Sequence, residues 1–197
     1  MNNTIDYYNA KAADYCKDTF NADVLELQSV FLSYLKPGAL ILDFGCGSGR
    51  DSKAFLKQGF RVEATDGSGE MCRLASTNTG LKVKQMLFQD LSAEGRYDGI
   101  WACASILHLP KDELIYVLGR MAKALKNDGI AYLSFKYGTF EGMHGERYFI
   151  YLDEQGLADV ISNIESLTVV KTWITGDVRP GRDEERWLNA IVRKTHG

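Results

Sequence analysis

Residues 41–51 read ILDFGCGSGRD, an apolar run that passes through an acid into glycines alternating with a cysteine and a serine, and then turns polar. The apolar run suits a strand buried on both faces. The glycines suit a tight reversal, and the polar residues after Gly49 open a helical pattern that Gly59 closes. A strand that ends in a bare loop and passes straight into a helix is the start of a βαβ unit, which commits the chain to a sheet with helices packed over it.

The rest of the chain repeats this alternation. Segments 39–44, 60–65, 82–88, 98–105 and 129–135 are short, apolar and rich in β-branched or aromatic residues, while 51–58, 68–77 and 110–128 carry helical patterns. In the last of these, Leu114, Leu118, Met121 and Leu125 share one face, with Pro110 before it and Gly129 after it. This order predicts an α/β fold, an open doubly wound sheet with right-handed crossovers and helices on both faces. Ahead of it, Val24, Leu27, Phe31 and Tyr34 keep helical spacing up to Pro37-Gly38. Tyr8, Ala12 and Tyr15 suggest one or two further amphipathic turns, so 1–36 reads as a helical cover. After the fifth strand, 136–150 reads as irregular and 153–161 as a helix. Segments 166–175 and 186–194 read as an antiparallel pair joined by GDVRPGRDEE. The expectation is one domain over 1–197: a core at 39–135, a C-terminal part at 136–197, and seven strands, mostly parallel, with an antiparallel strand near the C-terminus. There is no repeat, linker or low-complexity tract.

Ligands of such sheets bind beyond the carboxyl ends of the strands, so the 45–49 loop faces a site. The helix N-terminus behind it offers unpaired N–H groups to an anion. A dinucleotide pyrophosphate asks for G-x-G-x-x-G, and counting from Gly45 and Gly47 puts Arg50 where the third glycine belongs. The spacing present is an acid followed by G-x-G-x-G, namely Asp43, Gly45, Gly47 and Gly49. About 20 residues on, Asp66 ends the second strand, where a carboxylate accepts hydrogen bonds from both hydroxyls of a ribose. A ribose without a pyrophosphate fits this pattern; a nicotinamide-dependent oxidoreductase is the weaker alternative.

From Leu40 to Phe135 the sequence resembles the class I methyltransferases that use S-adenosylmethionine and adopt a Rossmann-like sheet. LDFGCGSG is similar to their glycine loop and ATDGSGEM to the acid after their second strand. FQDL is similar to the segment that brackets the adenine, and YDGIWACASILHL to their fourth strand and its exit. The resemblance implies S-adenosylmethionine as cofactor and S-adenosylhomocysteine as product. It places Gly45, Cys46, Gly47 and Gly49 under the methionine portion, Asp66 on the ribose hydroxyls, and Ser68 and Met71 beside ribose and adenine. Gln89, Asp90 and Leu91 would meet the adenine edge, the Ala104 carbonyl would lie near the methionine amino group, and Tyr8 and Tyr15 would fold over the cofactor.

A sulfonium methyl is already activated, so the protein has to align it with a nucleophile and exclude water. Neither metal nor covalent intermediate is required, and His108, His144 and His196 show no metal-ligand spacing. Cys46, between two glycines, reads as a small packing residue rather than a reagent, and Cys72 and Cys103 read as core.

The acceptor is narrowed mainly by exclusion. After the fourth strand the chain lacks the Asn/Asp-Pro-Pro-aromatic run of amide and adenine N-methylating enzymes and the Pro-Cys of cytosine C5 enzymes. His108 leaves that strand end and is a candidate general base, since imidazole titrates near neutrality; the bland reading is a histidine that only bonds the loop backbone. Lys136, Tyr137, Arg147, Tyr148, Arg179, Arg182 and Trp187 come late in the chain. If they converge, they make a pocket with arginine forks and aromatic walls for a carboxylate or small oxyanion. The plan resembles small bacterial-type enzymes such as the tellurite-resistance methyltransferases. The expected acceptor is a small molecule methylated on O, N, S or a metalloid atom. The alternative is a non-catalytic module that binds S-adenosylmethionine.

Composition removes other partners. With 23 basic against 26 acidic side chains there is no excess positive charge to neutralise a nucleic-acid backbone. No apolar run approaches the roughly 20 residues of a membrane span. The four cysteines form no C-x-x-C pair, the first residues show neither a basic leader nor an apolar h-region, and the expectation is a reduced, cytoplasmic protein. Oligomeric state is not legible in the sequence.

Overall fold

The computed structural model describes residues 2–179 and 181–195. Two helices come first, α1 (Asn2–Thr19) and α2 (Leu25–Leu32), followed by β1 (Leu40–Phe44), α3 (Arg50–Lys57), β2 (Arg61–Asp66), α4 (Gly69–Thr79), β3 (Lys84–Gln85) and β4 (Tyr97–Ala102). The chain continues with α5 (Lys111–Ala124), β5 (Leu125–Lys136), β6 (Glu141–His144), β7 (Arg147–Ile150), α6 (Glu154–Ile161), β8 (Leu167–Gly176) and β9 (Arg186–Lys194). Seven strands form one sheet in the order β3-β2-β1-β4-β5-β9-β8, and β6 and β7 form a separate hairpin. The first five strands of the sheet run parallel, and β9 lies antiparallel to both β5 and β8.

Alternation along the buried strands builds a core on each face of the sheet. Leu42, Phe44, Ile100, Leu133 and Phe135 face α5 and α6. Ile41, Trp101, Tyr132 and Ile191 face the other way, against Phe31 of α2 and Phe55 of α3. There the Trp101 and Tyr132 rings stack with centroids 3.9 Å apart.

Several elements differ from the sequence reading. α1 is an 18-residue helix rather than a turn or two, because Ala12 and Cys16 find a buried partner in Met71 of α4. The third strand shrinks to two residues, and Phe88–Asp90 is a single 3-10 turn. β4 stops at Ala102, and Ala104 takes a positive φ of 50° that an alanine rarely adopts. The helix expected to 128 ends at Ala124, and Leu125 is already in β5, paired with Tyr97. Pairing of Leu125 with Tyr97 draws 125–128 out of the helix, 126–128 entering a bulge before pairing resumes at Ile130, and α5 joins β5 without a loop. The 136–150 stretch is not irregular. It contains the β6–β7 hairpin, turned at Gly145 with φ 61°.

β1 is flanked by β2 on one side and β4 on the other, so the chain winds outward in both directions from it. The crevice this leaves beyond the carboxyl ends of β1 and β4 is where an open α/β sheet offers a ligand site. Among the described residues no helix is long and apolar enough to cross a membrane.

Candidate active site

A cleft occupies that crevice, floored by the 45–48 loop and the ends of β2, β4 and β5 and covered by α1, with the 175–179 and 182 segments at its far end. The loop is held by the neighbouring strand: Gly45 and Cys46 both donate their N–H groups to the Thr65 carbonyl, each at 2.9 Å. Gly45 has φ 82°, and a Cβ there would stand 2.5 Å from Cβ of Ser105, so no side chain fits between β1 and the exit of β4. Gly47 donates to Asp66 Oδ2 at 2.9 Å. Cys46 lines the cleft but is nearly buried, and burial, with Asp43 and Asp66 nearby, pushes its thiol well above the ordinary range.

Two residues of the glycine-loop pattern face elsewhere. Gly49 packs on α4, where an added Cβ would lie 2.7 Å from Thr79. Asp43 is buried behind the loop and accepts from Ser52 N and Oγ at 3.1 and 2.6 Å, fastening α3 to β1. Burial and the neighbouring Asp51 raise its carboxyl to about 7. Both residues shape the loop without facing the cleft.

Asp66 receives the Gly47 N–H on one oxygen and the Ser68 N–H on the other, each at 2.9 Å. The carboxylate keeps a lone pair for a further donor. Burial raises its pKa, opposed by the backbone N–H groups of Ser68, Gly47 and Gly67. Ser68 caps α4, accepting from Met71 N at 3.2 Å while donating to Asn9 Oδ1 of α1 at 2.6 Å. Ser68, Met71 and Gln89 line the cleft, joined by Met86, Leu87 and Phe88. Asp90 and Leu91 do not: Asp90 is exposed on the 3-10 turn and Leu91 points into the core.

At the exit of β4, Ala104 lines the cleft and donates its N–H to Ser134 Oγ at 2.7 Å. Cys103 packs against the edge of the core and also lines the cleft wall, half-buried, with Sγ 3.9 Å from Nη2 of Arg50. His108 is buried beside it. Its Nδ1 lies 2.7 Å from the Tyr148 carbonyl, which can only accept, so Nδ1 carries the ring proton. Nε2 is therefore a bare acceptor, and Tyr8 Oη, 2.9 Å away, donates to it. Burial brings His108 down to about 4, with the Tyr148 hydrogen bond opposing. The Tyr8 ring meets Tyr15 edge-on at 5.2 Å, and burial raises both phenols.

Among the late residues, Lys136, Arg147, Arg179, Arg182 and Trp187 converge on the cleft, while Tyr137 and Tyr148 do not. Strand alternation explains the split. Arg147 and Phe149 face inward, so Tyr148 between them faces out and bonds Glu141 at 2.8 Å. Tyr132, Ser134 and Lys136 face inward, so Tyr137 turns away to Glu154 at 3.1 Å. Several of the cations are already paired. Arg179 chelates Asp177, with Nε at 2.9 Å, and together with the Trp187 N–H holds that carboxyl down to about 2 against its burial. Lys136 and Arg182 share Glu185, at 2.6 and 2.9 Å. Arg147 has no carboxylate partner among the described residues; its guanidinium lies over the rings of Tyr7, Phe149 and Tyr8 and donates to Tyr8 Oη at 3.2 Å.

Arg50, which occupies the third-glycine position, forks Asp51 through Nε at 2.9 Å and Nη2 at 2.8 Å. Asp51 also accepts from Trp101 Nε1 at 2.8 Å and Gln28 Nε2 at 2.7 Å, so this pair is fixed at the cleft wall. Sequence reasoning passed over Asp51, Asn9, Ser134 and Asn189. Asn189 does carry a signal, an amide inside the apolar run WLNAIV, and it takes the Tyr132 hydroxyl at 2.6 Å. No group of three or more potential metal ligands occurs among the described residues, and His196 lies outside them, as does Pro180.

Comparison with known proteins agrees with this arrangement. Residues 41–129 match a family described as a methyltransferase domain. The ubiquinone biosynthesis O-methyltransferase of Xanthomonas campestris pv. campestris is 32% identical over 105 residues, which is 50% of this chain and 43% of that protein, so the match spans under half of the relative's length. The 1,6-didemethyltoxoflavin-N1-methyltransferase of Burkholderia thailandensis, solved with 1,6-didemethyltoxoflavin and S-adenosylhomocysteine, superposes with a TM-score of 0.79 at 23% identity, over 98% of this chain and 88% of that one. A TehB-like S-adenosylmethionine-dependent methyltransferase of Corynebacterium glutamicum gives 0.72 at 21% identity, over 94% and 99%. At these identities the structural likeness is one of fold.

Proposed function

We propose that this chain, whose residues 41–129 match a methyltransferase domain family, is a class I S-adenosylmethionine-dependent enzyme that methylates a small molecule carrying an anionic group. The observation that carries the reading is Asp66: a half-buried carboxylate lining the cleft at the end of β2, held by the backbone N–H groups of Gly47 and Ser68 and keeping a lone pair for a ribose hydroxyl. Beside it, the floor at Gly45 is too close to Ser105 for any side chain, which leaves room for a ligand to lie against backbone. Met86, Leu87 and Phe88 supply apolar surface for a flat base. These residues fit adenosine joined to an amino-acid tail.

When bound, the cofactor supplies a methyl group on a sulfonium, activated without help from the protein. What the chain contributes is placement and exclusion of water. The 45–48 loop, Asp66, Ser68 and Met71 hold the nucleoside side, and α1 closes over it through Asn9 and Tyr8. The segment from Lys136 onward supplies the acceptor side. There Lys136 and Arg182 share one carboxylate and Arg147 has none, so this end keeps an excess of positive charge suited to a carboxylate or other oxyanion on the acceptor.

Calorimetric titration with S-adenosylhomocysteine and with NADH tests the cofactor assignment; binding of the first and not the second is expected. Release of S-adenosylhomocysteine from S-adenosylmethionine across a panel of hydroxylated, thiol and amine carboxylic acids tests the enzyme assignment. A protein that binds the cofactor but releases none with any acceptor would be a binding module instead.

A further inference from the structure

Three segments distant in sequence meet at one oxygen atom. Tyr8 Oη of α1 lies 2.9 Å from His108 Nε2, in the turn after β4, and 3.2 Å from Arg147 Nη1 of β7. Because Nδ1 of His108 is spent on the Tyr148 carbonyl at 2.7 Å, both imidazole nitrogens are engaged. A molecule in the cleft can reach the basic nitrogen only by displacing Tyr8. Both side chains line the cleft, but the phenol oxygen already occupies the one imidazole nitrogen able to accept a proton.

We propose that Tyr8, rather than His108, is the catalytic residue that takes the acceptor's proton, that His108 acts through it as the positioning and receiving group, and that the methylated atom is accordingly the oxygen of a neutral hydroxyl. This rests on the methyltransferase reading above. As the acceptor oxygen bonds the methyl carbon, the carbon–sulfur bond breaks with its electron pair left on sulfur. The acceptor's O–H proton goes to Tyr8 Oη, and the phenol's own proton goes to His108 Nε2. The positive charge that began on the sulfonium ends on the imidazolium. An oxygen that has gained a methyl group while keeping its proton is a far stronger acid than an imidazolium, so even a His108 held down by burial to about 4 can receive the proton. Arg147, with no carboxylate of its own among the described residues, steadies the negative charge that crosses the phenol oxygen. An oxyanion or thiolate acceptor, already deprotonated, has no use for this chain of donors.

The test uses two phenolic probes with the full chain: 3,4-dihydroxybenzoate, whose hydroxyls are neutral near pH 7, and 4-nitrocatechol, whose hydroxyl para to the nitro group is largely ionised there and at which methyl transfer is read. The wild type is expected to methylate both. Tyr8→Phe and His108→Gln should each lower kcat on 3,4-dihydroxybenzoate by about 100-fold, the lower end of the range for general acid–base catalysis, with KM little changed. The double variant should be no worse than either single one, since the two act as a unit. On 4-nitrocatechol the same variants should lose less than about threefold, with every turnover read at saturating S-adenosylmethionine so that a change in cofactor affinity does not enter kcat. Independently of turnover, nitrogen-15 shifts of the free protein should show His108 as the neutral Nδ1–H tautomer, with an Nε2 resonance that moves in Tyr8→Phe. Unchanged kcat on 3,4-dihydroxybenzoate, equal losses on both probes, or an Nε2–H tautomer overturns the proposal. So does a wild type that methylates a thiol or selenite but no hydroxyl, which leaves the methyltransferase reading standing. A wild type that fails to bind S-adenosylhomocysteine, or binds it and methylates nothing, overturns that reading and the proposal with it.

Discussion

Asp66 reaches from the end of β2 to accept the Gly47 N–H at 2.9 Å, so the acid and the glycine loop form one hydrogen-bonded unit. Asp66→Ala removes the anchor of the loop and, in the proposed reading, the acceptor for the ribose hydroxyls. Affinity for S-adenosylhomocysteine should fall by about 1–3 kcal/mol, the cost of leaving polar groups without their partner. Titration calorimetry checks this, and unchanged affinity would rule out the ribose role.

Gly45→Ala should be poorly tolerated. The new Cβ would stand 2.5 Å from Cβ of Ser105, on a backbone whose φ of 82° already disfavours a side chain. A destabilisation of about 1–3 kcal/mol is expected from overpacking and strain, together with loss of cofactor affinity. Urea denaturation and calorimetry read the two effects separately.

Cys46→Ala should do little to either. The thiol is nearly buried and its pKa is pushed up by burial, so at neutral pH it is a protonated packing group. Wild-type turnover and binding in the variant are the expected result; abolished turnover with normal binding would make the thiol a participant.

Arg50→Gly restores the third glycine of the dinucleotide spacing but should not create NAD binding. It strands Asp51, a buried carboxylate left with only Trp101 and Gln28. Breaking a buried pair from one side costs about 3–5 kcal/mol, so the denaturation midpoint should fall sharply.

Acid should loosen the far end of the cleft. Burial would raise Asp177, but its hydrogen bonds from Arg179 and Trp187 prevail and hold it down to about 2. A depressed native pKa contributes stability that is present above the unfolded value near 3.9 and is lost as pH falls toward 2. Asp177→Asn should therefore be less stable than wild type at pH 7 and converge with it between about pH 4 and 2. Denaturation curves at several pH values test the sign.

Much of the core was legible because buried parallel strands write themselves as apolar runs and glycines mark their ends. The βαβ order, the loop at Gly45–Gly47 and the acid at Asp66 all follow from local pattern. What local pattern could not supply was which side of a strand faces the cleft. Tyr137 and Tyr148 were grouped with Lys136 and Arg147 by composition, yet period-two alternation sends them outward. Nor could it supply partners brought from afar. That Arg179 is spent on Asp177, Lys136 on Glu185, and His108 on a phenol 100 residues away depends on tertiary contacts that no sequence window contains. Helical spacing carried Leu125 into α5 because the competing partner, Tyr97, comes from another strand.

α5 passes into β5 at Leu125 without a loop, and the strand holds its slack just beyond, between Leu125 and Ile130, where five residues oppose the two from Tyr97 to Gly99. From Ile130 on, β5 is paired on both sides and delivers Tyr132, Ser134 and Lys136 to the cleft on alternate positions. A single residue inserted or deleted between Ile130 and Tyr132 would exchange these three for Ala131, Leu133 and Phe135, turning the polar wall into a greasy one. Length changes can be absorbed in the turns before α5 or in the bulge before Ile130, but not beyond it, so the parity of one strand fixes where this protein can lose or gain a residue and still present a site.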